Sequence, residues 1–176
     1  MFKAFYPKKD FNSVKDINFD GLRKKGYKAV LFDVDNTLVP HGAPADKAMI
    51  EFFARLHNDG FKTCLISNNK ELRVQPFAKA VGTQYIYKAG KPLASGYEKA
   101  MELLGTNRNN TLFVGDQLFT DILGANRAGI YSILVKPIHP KEEIQIVLKR
   151  YLEKIVLFFY RRQVRKSTQQ SSKNKI

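Results

Sequence analysis

Apolar and polar residues alternate along the chain in blocks that predict strands and helices in turn. Short runs of aliphatic and aromatic residues predict strands at 29–34, 61–67, 84–87, 111–115 and 131–135. Between these runs, apolar residues recur every three or four positions, which predicts helices at 46–58, 71–80, 93–104 and 120–128. Repeated strand–helix alternation is typical of a three-layer α/β fold, in which a doubly wound, mainly parallel sheet lies between two layers of helices.

The two ends of the chain differ from this alternating body. Residues 1–27 form an aromatic and basic segment that contains one short predicted helix at 19–25. The alternating region, 28–140, is expected to fold as one core. Residues 141–166 combine apolar and basic side chains at helical spacing, which predicts an amphipathic terminal helix. The last segment, 167–176, is rich in Ser, Gln, Lys and Asn, a composition that predicts disorder.

The net charge of +14 is concentrated in these two ends. Residues 1–28 hold eight Lys or Arg against three Asp, and residues 141–176 hold ten against three Glu. The region between them is close to balanced. Basic ends of this kind favour a polyanionic surface as partner, so anionic lipid, RNA and the ribosome are all candidates.

Hydropathy and cysteine content predict a cytoplasmic protein. The first residues lack the apolar core and the small-residue cleavage site of a signal peptide. No apolar run approaches the roughly 18 residues of a membrane span. The single cysteine, Cys64, lies in an apolar run and is expected to be a buried thiol in a reducing compartment. Peripheral contact with the inner face of a membrane is compatible with these features.

Chemically reactive side chains follow four of the predicted strands. They are, in order, Asp33 and Asp35, Ser67 and Asn68, Lys91, and Asp116 and Asp121. Because open α/β sheets bind ligands at the carboxyl ends of their strands, we expect these side chains to lie close together. Carboxylates gathered in this way are costly unless a cation neutralises them, which indicates a metal site.

The same residue types suit phosphoryl transfer, in which most of the catalysis is positioning and charge stabilisation. Asp33 is predicted to attack phosphorus and to form an aspartyl-phosphate. Asp35 is predicted to protonate the leaving oxygen and then to activate water. The Ser67 hydroxyl and the Asn68 side chain are predicted phosphate ligands. Lys91 adds a positive charge that serves both the phosphate and the nucleophile.

The predicted metal is Mg²⁺, which prefers oxygen ligands and keeps several waters. Two carboxylates and a substrate phosphate therefore suffice to bind it. Asp33 and Asp116 are the predicted carboxylate ligands. Asp121 is predicted to support this site, by holding a metal-bound water or by pairing with Lys91.

The ordered set of motifs resembles the haloacid-dehalogenase (HAD) superfamily of phosphohydrolases. The match consists of Asp-Val-Asp-Asn-Thr-Leu at 33–38, Ser67 after a strand, Gly-Lys-Pro at 90–92, and Gly-Asp with a second Asp at 115–121. The run Leu-Arg-Lys-Lys-Gly-Tyr-Lys at 22–28 and the Ser-Asn-Asn motif are similar to the capless class IIIA branch and, within it, to the YqeG-type proteins.

This resemblance implies a HAD-like Rossmannoid core and a Mg²⁺-dependent phosphomonoester hydrolase. It also implies that the backbone carbonyl of Asp35 completes the metal's ligands. YqeG-type proteins are similar to the mitochondrial phosphatases that dephosphorylate phosphatidylglycerophosphate, which implies this lipid as the substrate. The family usually has Gly where this chain has Asn36, and Asn is compatible with a turn at that position.

The spacing between the motifs leaves no room for a cap domain. A loop, a helix and a strand fill 37–67, and a helix with a short strand fills 67–91. The open site that follows from this spacing suits a bulky substrate. Two alternatives stay open: a phosphatase of soluble sugar or nucleotide phosphates, and an RNA- or ribosome-associated binding protein with an auxiliary phosphatase site. The basic ends permit the second, although no RNA-binding signature with interleaved aromatic residues is visible.

The terminal helix allows two placements. Its apolar residues could lie in a membrane interface, with the basic side chains turned to anionic headgroups. The same apolar stripe could instead pack on the protein's own sheet. The sequence does not choose between these two placements.

Overall fold

The computed structural model describes residues 2–139 and 144–173. Its centre is a six-stranded sheet in the order β1-β6-β5-β2-β3-β4, and every described strand pairing is parallel. The strands are β1 Lys9–Phe11, β2 Ala29–Phe32, β3 Lys62–Ile66, β4 Gln84–Ile86, β5 Thr111–Gly115 and β6 Tyr131–Val135. The central strands β2 and β5 are buried throughout, as expected for parallel strands covered on both faces.

Helices follow most of the strands and have recognisable ends. They are α1 Phe19–Lys24, α2 Lys47–Asn58, α3 Glu71–Val81, α4 Ser95–Leu104, α5 Leu123–Arg127 and α6 Ile144–Lys173. The side chain of Asp46 caps α2 by accepting the N–H of Met49 at 2.8 Å. Gly82 and Gly105 end α3 and α4 in the left-handed conformation, which glycine adopts without a steric penalty.

The core lies in two layers, one on each face of the sheet. One layer is rich in phenylalanine, with Phe19, Phe52 and Phe53 packed against Phe32 of β2. The other contains Tyr97 of α4, whose ring meets that of Phe113 on β5. Between the strands the described chain forms one or two helical elements and connecting loops, without a second folded unit. The predicted three-layer, doubly wound fold without a cap domain is confirmed.

Three elements differ from the prediction. The 1–27 segment contributes an edge strand, β1, which pairs with β6 at the register Lys9 to Ile133. The helix predicted at 120–128 is divided into a π-helical turn, Leu118–Ile122, and the short α5. The terminal helix continues to Lys173, into the segment for which the composition predicts disorder, because extending an existing helix costs far less than starting one. Residues 1, 140–143 and 174–176 lie outside the described residues.

One face of α6 packs on the edge of the domain. Val156 is buried with Leu118, Ile122 and Leu134 in a third apolar cluster. The buried side chain of Glu153 accepts the N–H of Leu118 at 2.6 Å. Within the described ranges, no helix has an apolar stretch long enough to cross a bilayer.

Candidate active site

The site lies at the point in the sheet where the order of the strands reverses. The segments after β2 proceed to β3 and β4 on one side, whereas β5 and β6 lie on the other side of β2. Asp33 follows β2 and Asp116 follows β5, so the two carboxylates meet at this switch point, where open α/β sheets bind ligands. The N–H of Asp33 donates to the carbonyl of Val114 at 2.9 Å, which continues the pairing of the two strands into the site.

Three buried carboxylates and one buried lysine form the centre of the site. Oxygens of Asp33, Asp116 and Asp121 all lie within 4.8 Å of one another. The Lys91 Nζ donates to Asp33 Oδ1 and to Asp121 Oδ1, each at 2.6 Å. The structure therefore brings together side chains from three of the four predicted strand ends.

Asp121 holds the loop that carries Asp116. Its Oδ2 accepts the backbone N–H groups of Asp116 at 3.1 Å and of Gln117 at 3.0 Å. This close approach depends on Gly115, because a Cβ at that position would lie 2.6 Å from Asp121 Oδ2. The π-helical turn aims the Asp121 side chain back under the loop, where it supports the site as well as pairing with Lys91.

Thr37 and Asn36 shape the loop after β2. The Thr37 hydroxyl lies 3.2 Å from Asp33 Oδ2 and 3.1 Å from Asp116 Oδ1, so it can donate to either carboxylate. Asn36 has a φ of 63°. This left-handed region favours glycine but tolerates asparagine, so Asn36 can occupy it.

Ser67 and Asn68 follow β3, as predicted. Ser67 is buried, and its Oγ accepts the N–H of Asn69 at 3.2 Å. The Asn68 amide is engaged with the backbone of Lys91, accepting its N–H at 2.8 Å and donating to its carbonyl at 3.1 Å. Asn68 therefore fixes the loop that carries the lysine. Phosphate binding by Ser67 and Asn68 stays a prediction.

The Asp35 side chain lies outside the carboxylate cluster. Its Oδ1 accepts Arg73 Nη2 at 2.7 Å and the N–H of Gly42 at 2.8 Å, and its Oδ2 accepts Asn69 Nδ2 at 2.7 Å. Arg73 also donates to the carbonyl of Ala43 at 2.8 Å. Arg73 thus connects the predicted general acid to the 42–43 loop, a role that sequence analysis missed.

Burial and charge act in opposite directions on the titration of the central groups. Burial raises the pKa of Asp33 to about 6, although the adjacent Lys91 opposes the shift. Burial alone would lower the pKa of Lys91, but the carboxylates of Asp121 and Asp33 outweigh it and raise that pKa. Burial also raises the pKa of Tyr97, whose hydroxyl donates to the carbonyl of Asp121 at 3.1 Å. Tyr97, a second residue that sequence analysis missed, thus supports the site from the α4 layer.

A divalent cation fits this donor set. Three carboxylates and one ammonium group leave a formal charge of about −2 when all are ionised, in a site where uncompensated charge is costly. Asp33 and Asp116 face each other across the Thr37 hydroxyl, and their oxygens are the ligand type that Mg²⁺ prefers. Asp121 already accepts three N–H hydrogen bonds, which suits a supporting role. The assignment of the individual metal ligands stays a prediction.

Known protein sequences resemble this chain over most of its length. A family profile described as haloacid dehalogenase-like hydrolase matches residues 41–129. The chain is 33% identical over 156 residues to the "Probable phosphatase YqeG" of Bacillus subtilis (strain 168), covering 88% of this chain and 91% of that protein. It is 30% identical over 169 residues to phosphatidylglycerophosphate phosphatase 1, chloroplastic/mitochondrial, of Arabidopsis thaliana, covering 88% of this chain and 47% of that protein. The chain thus spans about half the length of the plant relative.

Solved structures share the fold. The cobalt-bound deoxy-D-mannose-octulosonate 8-phosphate phosphatase (YrbI) of Haemophilus influenzae superposes with a TM-score of 0.50 at 13% identity, covering 77% of this chain and 90% of that chain. The profile match begins after Asp33, but the geometry places Asp33 with Lys91, Asp116 and Asp121, which lie inside the matched range. The chain therefore belongs to the haloacid dehalogenase-like hydrolase family, and it is one of the family's phosphatases.

Proposed function

We propose that the protein is a Mg²⁺-dependent phosphomonoesterase that works through an aspartyl-phosphate on Asp33, with phosphatidylglycerophosphate as its preferred substrate. The observation that carries the proposal is the buried Lys91, which contacts Asp33 and Asp121 beside Asp116. A fixed ammonium group between carboxylates suits a dianionic phosphate that arrives together with a divalent cation. Bound Mg²⁺, held by Asp33, Asp116 and the backbone carbonyl of Asp35, would stabilise negative charge on the phosphate oxygens.

In the first half-reaction, a carboxylate oxygen of Asp33 attacks phosphorus, and the bond between phosphorus and the ester oxygen breaks. The leaving alcohol takes a proton from Asp35, which must enter this step protonated and released from its ion pair with Arg73. Lys91 orients the nucleophile through its hydrogen bond to Asp33 Oδ1 and offsets the charge of the transferred group. The Ser67 hydroxyl donates to a phosphate oxygen.

In the second half-reaction, a water molecule gives a proton to Asp35 and attacks phosphorus. The bond between phosphorus and Asp33 breaks, which releases inorganic phosphate and restores the carboxylate. Asp35 must serve both half-reactions. In the interval between the two, hydrogen bonds from Arg73 and Asn69 hold its side chain next to the site.

The choice of lipid rests on the relatives and on the open site. The Arabidopsis relative is named for phosphatidylglycerophosphate, and it matches 88% of this chain. The absence of a cap among the described residues leaves the strand ends accessible to a substrate embedded in a large surface. A substrate of this kind requires the enzyme to work at a lipid–water interface.

The outer face of α6 provides a surface for that interface. Its exposed apolar side chains are Tyr151, Leu152, Ile155, Phe158 and Phe159. Exposed cations accompany them along the same helix; these are Lys154, Arg161, Arg162, Arg165 and Lys166. Aromatic and aliphatic side chains beside clustered basic residues suit an anionic bilayer surface. The proposed partner is therefore an anionic membrane that the protein contacts peripherally.

The test is phosphate release from phosphatidylglycerophosphate in mixed micelles, with Mg²⁺ or with EDTA, beside a panel of soluble phosphomonoesters. We expect Mg²⁺-dependent release from the lipid that Asp33→Asn abolishes. The matched control is Asp59→Asn, which removes an exposed carboxylate outside the site and should retain activity. Turnover of soluble esters alone would keep the mechanism and reject the lipid. Folded protein that releases phosphate from none of these substrates, and that co-sediments with ribosomes, would support a binding function instead.

A further inference from the structure

A cavity of about 550 Å³ opens beside the metal site, against the terminal helix. Asp116 lines it at the site, and Lys154, Leu157 and Arg161 of α6 line it on the helix side. This volume is in the range of pockets that hold small organic ligands. A substrate whose phosphomonoester lies at Asp116 therefore has room to extend toward α6.

The cavity continues along the helix. Lys154, Leu157 and Arg161 also border an open space of about 720 Å³ among the side chains of α6 itself, which extends to Phe158. The two spaces together form one groove, the α6 groove, from the metal site to the exposed face of the terminal helix. Cationic side chains therefore mark the path by which a long substrate leaves the site.

Three cations in the first part of the groove are available to a ligand. Lys136, Lys154 and Arg161 line it and are exposed. Among the residues that the structure describes, none of the three forms an ion pair with a carboxylate. Lys154 lies 4.8 Å above the ring of Tyr151, a contact that leaves its N–H groups free to turn into the groove.

Carboxylates also line the groove, and each of three of them forms a hydrogen bond within the protein. Glu153 accepts the N–H of Leu118 at 2.6 Å. Asp16 caps the short helical turn at Val14–Asp16. Asp10 lies within 3.5 Å of the hydroxyl of Tyr160. In the first part of the groove these carboxylates stand beside Lys136, Lys154 and Arg161, whereas the part along α6 is lined by cationic and apolar side chains alone.

We propose that the α6 groove binds a second phosphate group of the substrate, the phosphodiester that joins the phosphoglycerol headgroup to the diacylglycerol. This inference rests on the proposed lipid phosphatase function and identifies the part of the substrate that α6 selects. A phosphodiester is a monoanion whose two free oxygens accept from a guanidinium fork or an ammonium group. Leu157 and Phe158 border the groove where the glycerol and the first acyl carbons would follow.

The experiment uses two soluble substrates, so that binding in the groove is separated from binding to a bilayer. One is glycerol 3-phosphate, which has a single phosphate. The other is deacylated phosphatidylglycerophosphate, which has the same phosphomonoester and the phosphodiester but no acyl chain. The wild-type protein is expected to prefer the second in kcat/KM. In Lys154→Gln/Arg161→Gln this preference should fall about tenfold per cation, mainly through KM, and each tenfold loss corresponds to ~1.4 kcal/mol.

The matched control is Lys79→Gln/Lys99→Gln, which removes two exposed charges from α3 and α4 and should keep the wild-type preference. An unchanged preference in the Lys154→Gln/Arg161→Gln protein overturns the inference, even where wild-type protein hydrolyses the lipid. The same holds if only the activity on micelles falls, because the cations would then bind the lipid surface and not the phosphodiester. Wild-type protein that hydrolyses soluble monoesters but not the intact lipid overturns the proposed substrate, and the inference with it.

Discussion

Asp33→Asn is expected to stabilise the metal-free protein while it abolishes activity. Asp33 is buried beside Asp116 and Asp121, and Lys91 is the ammonium group that offsets their charge. Burial raises the pKa of Asp33 to about 6 because the ionised form is poorly solvated there. An asparagine keeps the shape of the side chain and removes the charge. We therefore expect the proposed nucleophile to lower the stability of the fold as the cost of its reactivity.

The size and the pH dependence of this effect follow from the pKa. The ordinary value is 3.8, and the folded protein raises it to about 6. Between these two pH values the folded state binds more protons than the unfolded state, so wild-type stability falls as the pH rises from about 4 to about 6. Above about pH 6 the loss of wild-type stability that comes from ionising Asp33 approaches its full size. A difference of about two pKa units corresponds to ~3 kcal/mol, which is an upper limit for the gain from Asp33→Asn at pH 8.

Urea unfolding in EDTA at pH 8 and at pH 4.5 measures the effect. We expect Asp33→Asn to raise the free energy of unfolding by ~1–3 kcal/mol at pH 8 and by about a third of that amount at pH 4.5, where the folded protein already holds the proton but the unfolded chain has largely lost it. Asp121→Asn is the matched control. It should destabilise the fold at pH 8, because Asp121 accepts N–H groups from Lys91, Asp116 and Gln117. Destabilisation by Asp33→Asn at pH 8, or an equal effect at both pH values, would refute the reasoning.

Three further predictions concern the same site. Apparent Mg²⁺ affinity should fall about tenfold per pH unit below about pH 6, because Asp33 must lose its proton to bind; calorimetry that shows a flat profile contradicts this. Gly115→Ala should cost ~1–3 kcal/mol in thermal unfolding, because its Cβ would meet Asp121; an unchanged melting temperature argues against a fixed Asp121. Arg73→Gln should lower kcat about 10- to 100-fold with a smaller change in KM, and an unchanged kcat in steady-state kinetics would mean that Asp35 is positioned without Arg73.

The sequence predicted the strands of the sheet centre well because each is a continuous apolar run, such as Ala29–Phe32. It did not predict β1 at Lys9–Phe11, where two of three residues are charged and exposed. That strand exists because its backbone pairs with β6, a long-range interaction without a local pattern. The π-helical turn at Leu118–Ile122 was missed for a similar reason, since it is accompanied by hydrogen bonds that Asp121 accepts from the N–H groups of the preceding loop.

Among the site residues, sequence analysis selected groups whose chemistry is unusual at a strand end. Asp33 and Asp116 meet in the structure as expected for the ends of the adjacent strands β2 and β5, and Lys91 reaches them from the loop after β4, two strands away from β2. Arg73 and Tyr97 were missed because they lie on helices, at positions where Arg and Tyr are ordinary. The signal for Arg73 was its place in the first turn of the helix after Ser67, close to the strand ends. For Tyr97 no sequence signal distinguished it from a core aromatic residue.

The pairing of β1 with β6 has a consequence for the order of folding during synthesis. The strands β2–β5 and every member of the carboxylate cluster leave the ribosome before β6 does, so this part of the protein can assemble first. The N-terminal strand must wait for β6, and the rings of Phe2 and Tyr6 must wait longer for Phe159 and Tyr160. The α6 groove is therefore completed after the cluster. A nascent chain can possess the full set of reactive groups while it still lacks the wall that we assign to substrate selection.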